Sequence, residues 1–342
     1  MSLRNSNATN KIPKFLRNNL NDKRINRIYK KFEHSLNIDE RFAVAVSGGP
    51  DSLALAFLSK IYAIKRSLIS KFYIVDHKLR SESTKEAKFI LNLLKKNFIK
   101  SEILTWKGKK PDKSVQSIAR TKRYELIFKK CDQFKIDNIL MGHHENDLIE
   151  NFFLRLLRGS GIKGLISLDI KTKIKKKNVL RPLIDTKKDD LIYISKKVFN
   201  FYVKDPTNKD EKYQRTRVRK LIKDLEKDGL DKIKLKKTIK NLKNANKVIE
   251  FYVEKNLREN TSFLKNKNRL ILNIDFFLQP QEVIFRAFSE SLKLIGEKYY
   301  SVRGKKLEKI IWEIENNRLN RTTLGSCIIE KVNQSIIISK EP

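Results

Sequence analysis

The chain has 342 residues, and its 76 lysines and arginines against 39 acids give a formal net charge of +37. That length suffices for two domains with a core each, and such an excess of charge concentrates polyanions, nucleic acid first, although a Lys-, Asn- and Ile-rich composition contributes its own share. Cys131 and Cys327 lie too far apart for a zinc knuckle or a C-x-x-C redox pair, and no apolar run approaches the roughly 20 residues of a membrane span.

Residues 1–40 are basic and rich in Asn, with Asp22 the first acid, and they lack the apolar centre of a secretory signal. They are expected as a surface helix or tail leading into a sheet, in a cytoplasmic protein. Beyond them, β-rich runs alternate with helical spacing. Phe42–Val46, Phe72–Val75, Ile103–Trp106, Asn138–Gly142 and Val179–Ile184 read as strands; Leu53–Tyr62, Lys85–Asn97, Val115–Cys131 and Glu145–Leu157 read as helices. The alternation predicts an α/β fold, a doubly wound parallel sheet over 41–220, with ligands at the carboxyl ends of its strands. Asp76–His77 and His143–His144 fall at such ends. From about Lys220 the pattern changes: Leu235, Ile239, Leu242, Ala245, Ile249 and Tyr252 step by three or four along one long helix. Residues 221–342 therefore predict a smaller, mainly helical domain, with hairpins around Lys265–Asn268 and Asn333–Gln334.

Ser47, Gly48, Gly49, Pro50, Asp51 and Ser52 sit between the first strand and the first helix of the sheet. Two glycines let successive amides turn toward an anion, and the helix that follows adds its free N–H groups. The serines supply hydroxyl donors, while Asp51 suits a divalent ion beside the phosphate. No Lys follows the glycines, so the string is not a Walker A loop. The plainer reading is a glycine turn capped by Asp51 or Ser52. The second informative stretch is Gly142–Asn151, where His143, Asp147 and Glu150 share a narrow sector at helical spacing. It is either an acid-rich helix start or a polar edge able to hold Mg2+ or a cationic substrate.

The first string resembles the PP-loop of the N-type ATP pyrophosphatases, which split ATP between the α- and β-phosphates. Further stretches resemble one branch of them, the tRNA(Ile)-lysidine synthase family. Gly142–Asn151 resembles H-x-D-D-Q-x-E-T, and Arg155–Gly161 resembles R-L-x-R-G-S-G. Val75–Arg80 resembles V-D-H-G-L-R, and Ala119-Arg120 with Arg123-Tyr124 resembles A-R-x-x-R-Y. Arg181-Pro182-Leu183 resembles R-P-L; Asp205–Asn208 with Tyr213, Arg215 and Arg219 resembles a further signature; Thr323–Cys327 resembles T-L-G-G-C. Asn146, Leu148, Lys78 and Thr216 depart from the family pattern.

The resemblance implies ATP-dependent attachment of free lysine to C2 of cytidine 34 in the tRNA(Ile) with a CAU anticodon. It implies ATP and Mg2+ at Ser47–Ser52, with Asp51 and Asp147 as metal ligands. Asp147 and Glu150 complete the metal site or receive the lysine ammonium. Arg120 is a candidate for the α-phosphate or the substrate carboxylate. Arg215, Arg217 and Arg219 are candidates for tRNA phosphates, or else solvated charges. A PP-loop tRNA thiolase and a nucleotide-gated RNA-binding protein are the alternatives.

Overall fold

The computed structural model describes residues 12–108, 115–203, 211–264, 269–297, 302 and 304–342. Asp205–Asn208, the turn residues 265–268 and the start of the N-terminal segment lie outside the described residues. The chain divides into two compact units, Met1–Lys236 and Lys237–Pro342.

The first unit is built on a six-stranded sheet in the order β3-β2-β1-β4-β6-β5. Its strands are β1 (Phe42–Val46), β2 (Ser70–Asp76), β3 (Ser101–Thr105), β4 (Asn138–Leu140), β5 (Lys171–Ile174) and β6 (Lys177–Leu180). All pairings are parallel except β5 with β6. Phe42 of β1 is in register with Ser70 on one side and Asn138 on the other. The chain runs outward from β1 to β3, then returns to place β4 on the opposite flank of β1. That reversal opens a crevice at the carboxyl end of β1, where open α/β sheets bind ligands.

The helices of this unit are α1 (Lys14–Leu20), α2 (Lys23–His34), α3 (Pro50–Lys65), α4 (Ser83–Lys96), α5 (Val115–Gln133), α6 (Glu145–Leu156), α7 (Ile162–Leu165), α8 (Lys188–Phe199) and α9 (Gln214–Lys227); α10 (Lys232–Glu259) runs across the boundary into the second unit. Alternate residues of β1 feed two cores, as strand geometry requires. Phe42, Val44 and Val46 pack with Leu53 and Phe57 of α3 and Leu191 and Ile194 of α8. Ala43 packs on the other face with Ile127, Phe128 and Cys131 of α5. The N-terminal helices are part of the first core. Ile25, Ile28, Tyr29 and Phe32 are buried at spacings of three, one and three, so α2 is an amphipathic core helix and not a surface tail. Asp22 caps it through Arg24 and Ile25 amides at 2.9 and 3.0 Å and accepts the Tyr193 hydroxyl at 2.7 Å. Those bonds, the Tyr193 one foremost, hold its carboxyl below the usual range.

The edge pair β5–β6 replaces the single strand expected over Val179–Ile184. Lys-Thr-Lys-Ile in β5 exposes its lysines, a pattern that blunts a sheet edge.

In the second unit, α10, α11 (Gln281–Ile295) and α12 (Gly304–Glu315) accompany β7 (Thr261–Leu264), β8 (Arg269–Leu272), β9 (Arg321–Thr323), β10 (Cys327–Val332) and β11 (Ser335–Lys340). The two expected hairpins are halves of one antiparallel sheet, β7-β8-β11-β10-β9, joined where Leu272 faces Ile336. Leu272, Ile329 and Ile338 pack on Phe288, Leu292 and Leu307. Among the described residues no helix is long and apolar enough to cross a membrane.

Two departures from the family pattern acquire a physical meaning. Lys78 and Ser326 replace glycines of V-D-H-G-L-R and T-L-G-G-C, and both adopt positive φ, 50° and 64°. The fold keeps the left-handed turn at each position and accepts its strain in an ordinary residue. Lys78→Gly and Ser326→Gly should each raise the unfolding free energy by about 0.5–1 kcal/mol net of the flexibility that glycine adds. Urea titration measures this; an unchanged or lower midpoint in both variants would contradict it.

Candidate active site

The site forms where β1 and β4 end. Gly48 has φ +83°, and a Cβ there would stand 2.8 Å from Ile90. Only glycine turns the chain this way without moving the core. Gly49 is the N-cap of α3 and Pro50 its first residue, where a missing N–H costs nothing. Ser52 is buried and organises the loop: its Oγ accepts the Ser47 amide at 3.1 Å and donates to the Gly49 carbonyl at 3.0 Å. Ser47 Oγ lies 3.2 Å from the same atom. Two residues outside the string brace it. Ser195 donates to the Pro50 carbonyl at 2.7 Å, and a Cβ on Gly142 would touch the Asp51–Ser52 peptide at 3.2 Å. Nothing in the sequence marks Ser195. Gly142 is signalled only by its place at a strand exit.

His144 joins the two informative stretches. It caps α6: its Nδ1 accepts the Asn146 amide at 3.1 Å, and its own amide donates to Asp147 at 3.1 Å. Nε2 then lies 3.5 Å from Asp51 and 3.7 Å from Asp147. Burial disfavours a charged His144, but the Asp51 hydrogen bond and the charges of Asp147 and Asp51 outweigh it and raise its pKa. Burial likewise opposes the Asp147 carboxylate, which His144, His143 and Arg215 hold below the usual range. Asp51 Oδ1 is buried without a hydrogen-bond partner. Asp51, in the first turn of α3, and Asp147, in the first turn of α6, thus both approach His144; carboxylates suit Mg2+, which takes one or two of them and fills its remaining positions with water and phosphate. Among the described residues no group of three or more His, Cys, Asp or Glu side chains is placed to hold a metal.

Glu150 is engaged elsewhere. It is buried and pairs bidentately with Arg219 at 2.6 and 3.2 Å, with Arg215 at 3.6 Å. Arg215 and Arg219, four apart on α9, share a face; Arg217 does not, and donates to the Glu211 and Lys212 carbonyls at 2.9 and 3.1 Å. The expected set of three therefore splits into two residues at Glu150 and one on the surface. A cavity of about 560 Å³ opens beside this pair, lined by Asn146, Ile149, Glu150, Arg219, Lys220 and Lys223 among others.

Similarity to known proteins fits this geometry. Residues 8–225 match the PP-loop domain family. The tRNA(Ile)-lysidine synthase of Wolbachia sp. subsp. Brugia malayi is 32% identical over 310 residues, covering 89% of this chain and 71% of that one. The chain belongs to the tRNA(Ile)-lysidine synthase family. The family's enzyme from Orientia tsutsugamushi is also 32% identical, over 88% of this chain and 70% of its own. Among solved structures, the U34-tRNA thiolase NcsA from Methanococcus maripaludis superposes with a TM-score of 0.56 at 18% identity, over 65% of this chain and 78% of that one, a likeness of fold.

Within the family's A-R-x-x-R-Y stretch, Arg120, Arg123 and Tyr124 share a face of α5. Arg120 donates to the Tyr124 hydroxyl at 3.3 Å and lies over its ring. His77, at the β2 exit, is lowered to about 4 by burial and by the charge of Arg123. His143 is likewise lowered, chiefly by burial.

The Glu150 geometry has a measurable consequence. Glu150→Gln should destabilise the fold by up to about 2 kcal/mol, because Arg219 loses a buried anionic partner but keeps partial access to water. Arg217→Gln should change stability by less than about 0.5 kcal/mol. Equal urea midpoints for the two variants would remove Glu150 as the anchor of α9.

Proposed function

We propose that this chain ligates lysine to C2 of cytidine 34 in a tRNA(Ile) bearing the CAU anticodon, converting ATP to AMP and pyrophosphate. The observation that carries the reading is the Ser47–Ser52 cradle, with Asp51 and the α6 acid Asp147 both beside His144, in a chain of this family. The reading makes it an ATP-dependent tRNA-modifying ligase working where its tRNA is, in the cytoplasm.

In the first step O2 of the cytidine attacks the α-phosphorus and pyrophosphate leaves. The amides after Gly48 and the start of α3 receive the departing charge, and Ser52 keeps the loop in that shape beforehand. Asp51 and Asp147 are the residues to hold Mg2+, which when bound neutralises charge on the pyrophosphate. In the second step the lysine ε-nitrogen attacks C2, the C2–O2 bond breaks, and AMP departs with that oxygen. Only the neutral amine attacks, so its proton must leave first; Asp147, a carboxylate held in its ionised form, is the acceptor beside the cradle. Glu150 acts by holding Arg215 and Arg219 against α6. The helix-rich second unit and the lysines of both units supply the electrostatic attraction for tRNA.

A thiolase would need a reactive sulfur. Cys131 is buried in the sheet core with its thiol pushed up to about 12 by that burial, the reverse of a poised nucleophile. Labelled lysine should enter tRNA(Ile) transcripts with a CAU anticodon in the presence of ATP. Asp51→Asn should slow that transfer by about two to three orders of magnitude, a loss of roughly 3–4 kcal/mol of transition-state stabilisation. Undiminished transfer in that variant would dismiss Asp51 from the chemistry.

A further inference from the structure

Three successive carbonyls of the Ser47–Ser52 turn are taken by the protein itself. The Gly48 carbonyl accepts the Val203 amide at 2.9 Å. The Gly49 carbonyl accepts Ser52 Oγ and the Leu53 amide, both at 3.0 Å, and the Pro50 carbonyl accepts Ser195 Oγ at 2.7 Å. In a trans peptide the C=O and N–H point to opposite sides, so a carbonyl tied on one side fixes the amide of the same plane on the other. The Val203 bond thereby aims the Gly49 N–H, and the Ser195 bond aims the Asp51 N–H. The Gly49 carbonyl aims none, because Pro50 follows it. Neither N–H meets an acceptor among the described residues. Two amides open to a phosphate are therefore set from outside the turn, one of them by a side chain 145 residues along the chain.

Ser195 is fully buried on α8, and that helix is itself held from two directions. Leu191 and Ile194 pack with Leu53 and Phe57 of α3. Asp190 pairs with Arg24 at 2.7 Å, and Tyr193 donates to Asp22 at 2.7 Å. The hydroxyl thus stands on a rigid element, at the favoured length for an O–H···O bond. Burial alone does not produce the contact: Ser59 of α3 is as buried, and its hydroxyl has no partner. The Ser195 bond does two things. It holds the first peptide of α3 in place, and by drawing charge onto that oxygen it makes the N–H of the same peptide a stronger donor, as bonds in a chain polarise one another.

We propose that Ser195 is a positioning residue for the first step, setting and strengthening the Asp51 N–H as a donor to the phosphate oxygens that leave as pyrophosphate. This takes the cradle as the seat of the pyrophosphate and so rests on the proposed ligase reading. Ser195 is too deeply buried to touch a nucleotide; it acts through the Pro50–Asp51 peptide. Charge on the leaving oxygens grows as their bond to the α-phosphorus breaks, so a donor held in place beforehand favours the transition state and the product over ATP. The effect falls on pyrophosphate and not on AMP, whose phosphate stays behind.

Calorimetric binding of pyrophosphate with Mg2+, and of AMP, to the full chain without tRNA or lysine separates the two halves of the nucleotide. Ser195→Ala should weaken pyrophosphate about 3–10-fold and leave AMP within about twofold. With tRNA(Ile) and ATP, its kcat for pyrophosphate release should fall by a similar factor at a nearly unchanged KM for ATP. Ser59→Ala, the matched buried serine, should alter neither affinity. Should Ser195→Ala lose the fold, Ser195→Cys keeps the volume with a weaker donor and should show the same split. Equal weakening of both ligands, as a general loosening of the core gives, would overturn the role, as would unchanged pyrophosphate binding or a wild-type protein that binds none. Failure of wild-type protein to release pyrophosphate from ATP with tRNA(Ile), while the binding split holds, would instead count against the ligase reading.

Discussion

A single buried imidazole holds the two halves of the site together. His144 lies within 3.5 Å of Asp51 from the first loop and 3.7 Å of Asp147 from α6. The two carboxylates would otherwise repel. With Nδ1 occupied by the Asn146 amide, Nε2 is the atom that faces the acids. The α6 start, the cradle and the end of β4 are thereby locked as one body. Gly142 completes it, because any side chain there would push the Asp51–Ser52 peptide away.

The sheet explains why these elements meet. Reversal of strand order at β1 leaves the ends of β1 and β4 uncovered by a crossover helix, and the backbone groups of the loops there are free to turn inward. Mobility is not required of the cradle: Ser52 and Ser195 tie it from two sides. Chemistry of this class relies on such preorganisation, since groups already in place need not reorient as charge develops.

Much of this was legible in the residues, and the rest was hidden for definite reasons. The central strands read clearly because parallel strands buried on both faces are continuous apolar runs, as Phe-Ala-Val-Ala-Val shows. Ser47–Ser52 was legible because the phosphate cradle is local, six consecutive residues in one turn. The α2 helix has its 3–4 spacing in plain view, but the Lys and Asn around it masked the burial of Tyr29 and Phe32. The Glu150–Arg219 pair joins residues 69 apart, and no helical-sector argument about α6 alone reveals that Glu150 is already neutralised. Arg215, Arg217 and Arg219 looked equivalent as alternate residues; a helix separates the middle one. The left-handed Lys78 was readable only as a departure from a pattern, until its φ angle supplied the cause.

Adenylation of the base before the amine arrives is the step on which the proposed ligation turns. Its most direct measurement is mass spectrometry of the anticodon fragment of tRNA(Ile) after incubation with protein, Mg2+ and ATP in the absence of lysine. An adenylated cytidine at the wobble position, converted to lysidine on adding lysine, is the result expected. Unmodified cytidine and intact ATP, with tRNA bound, would contradict it.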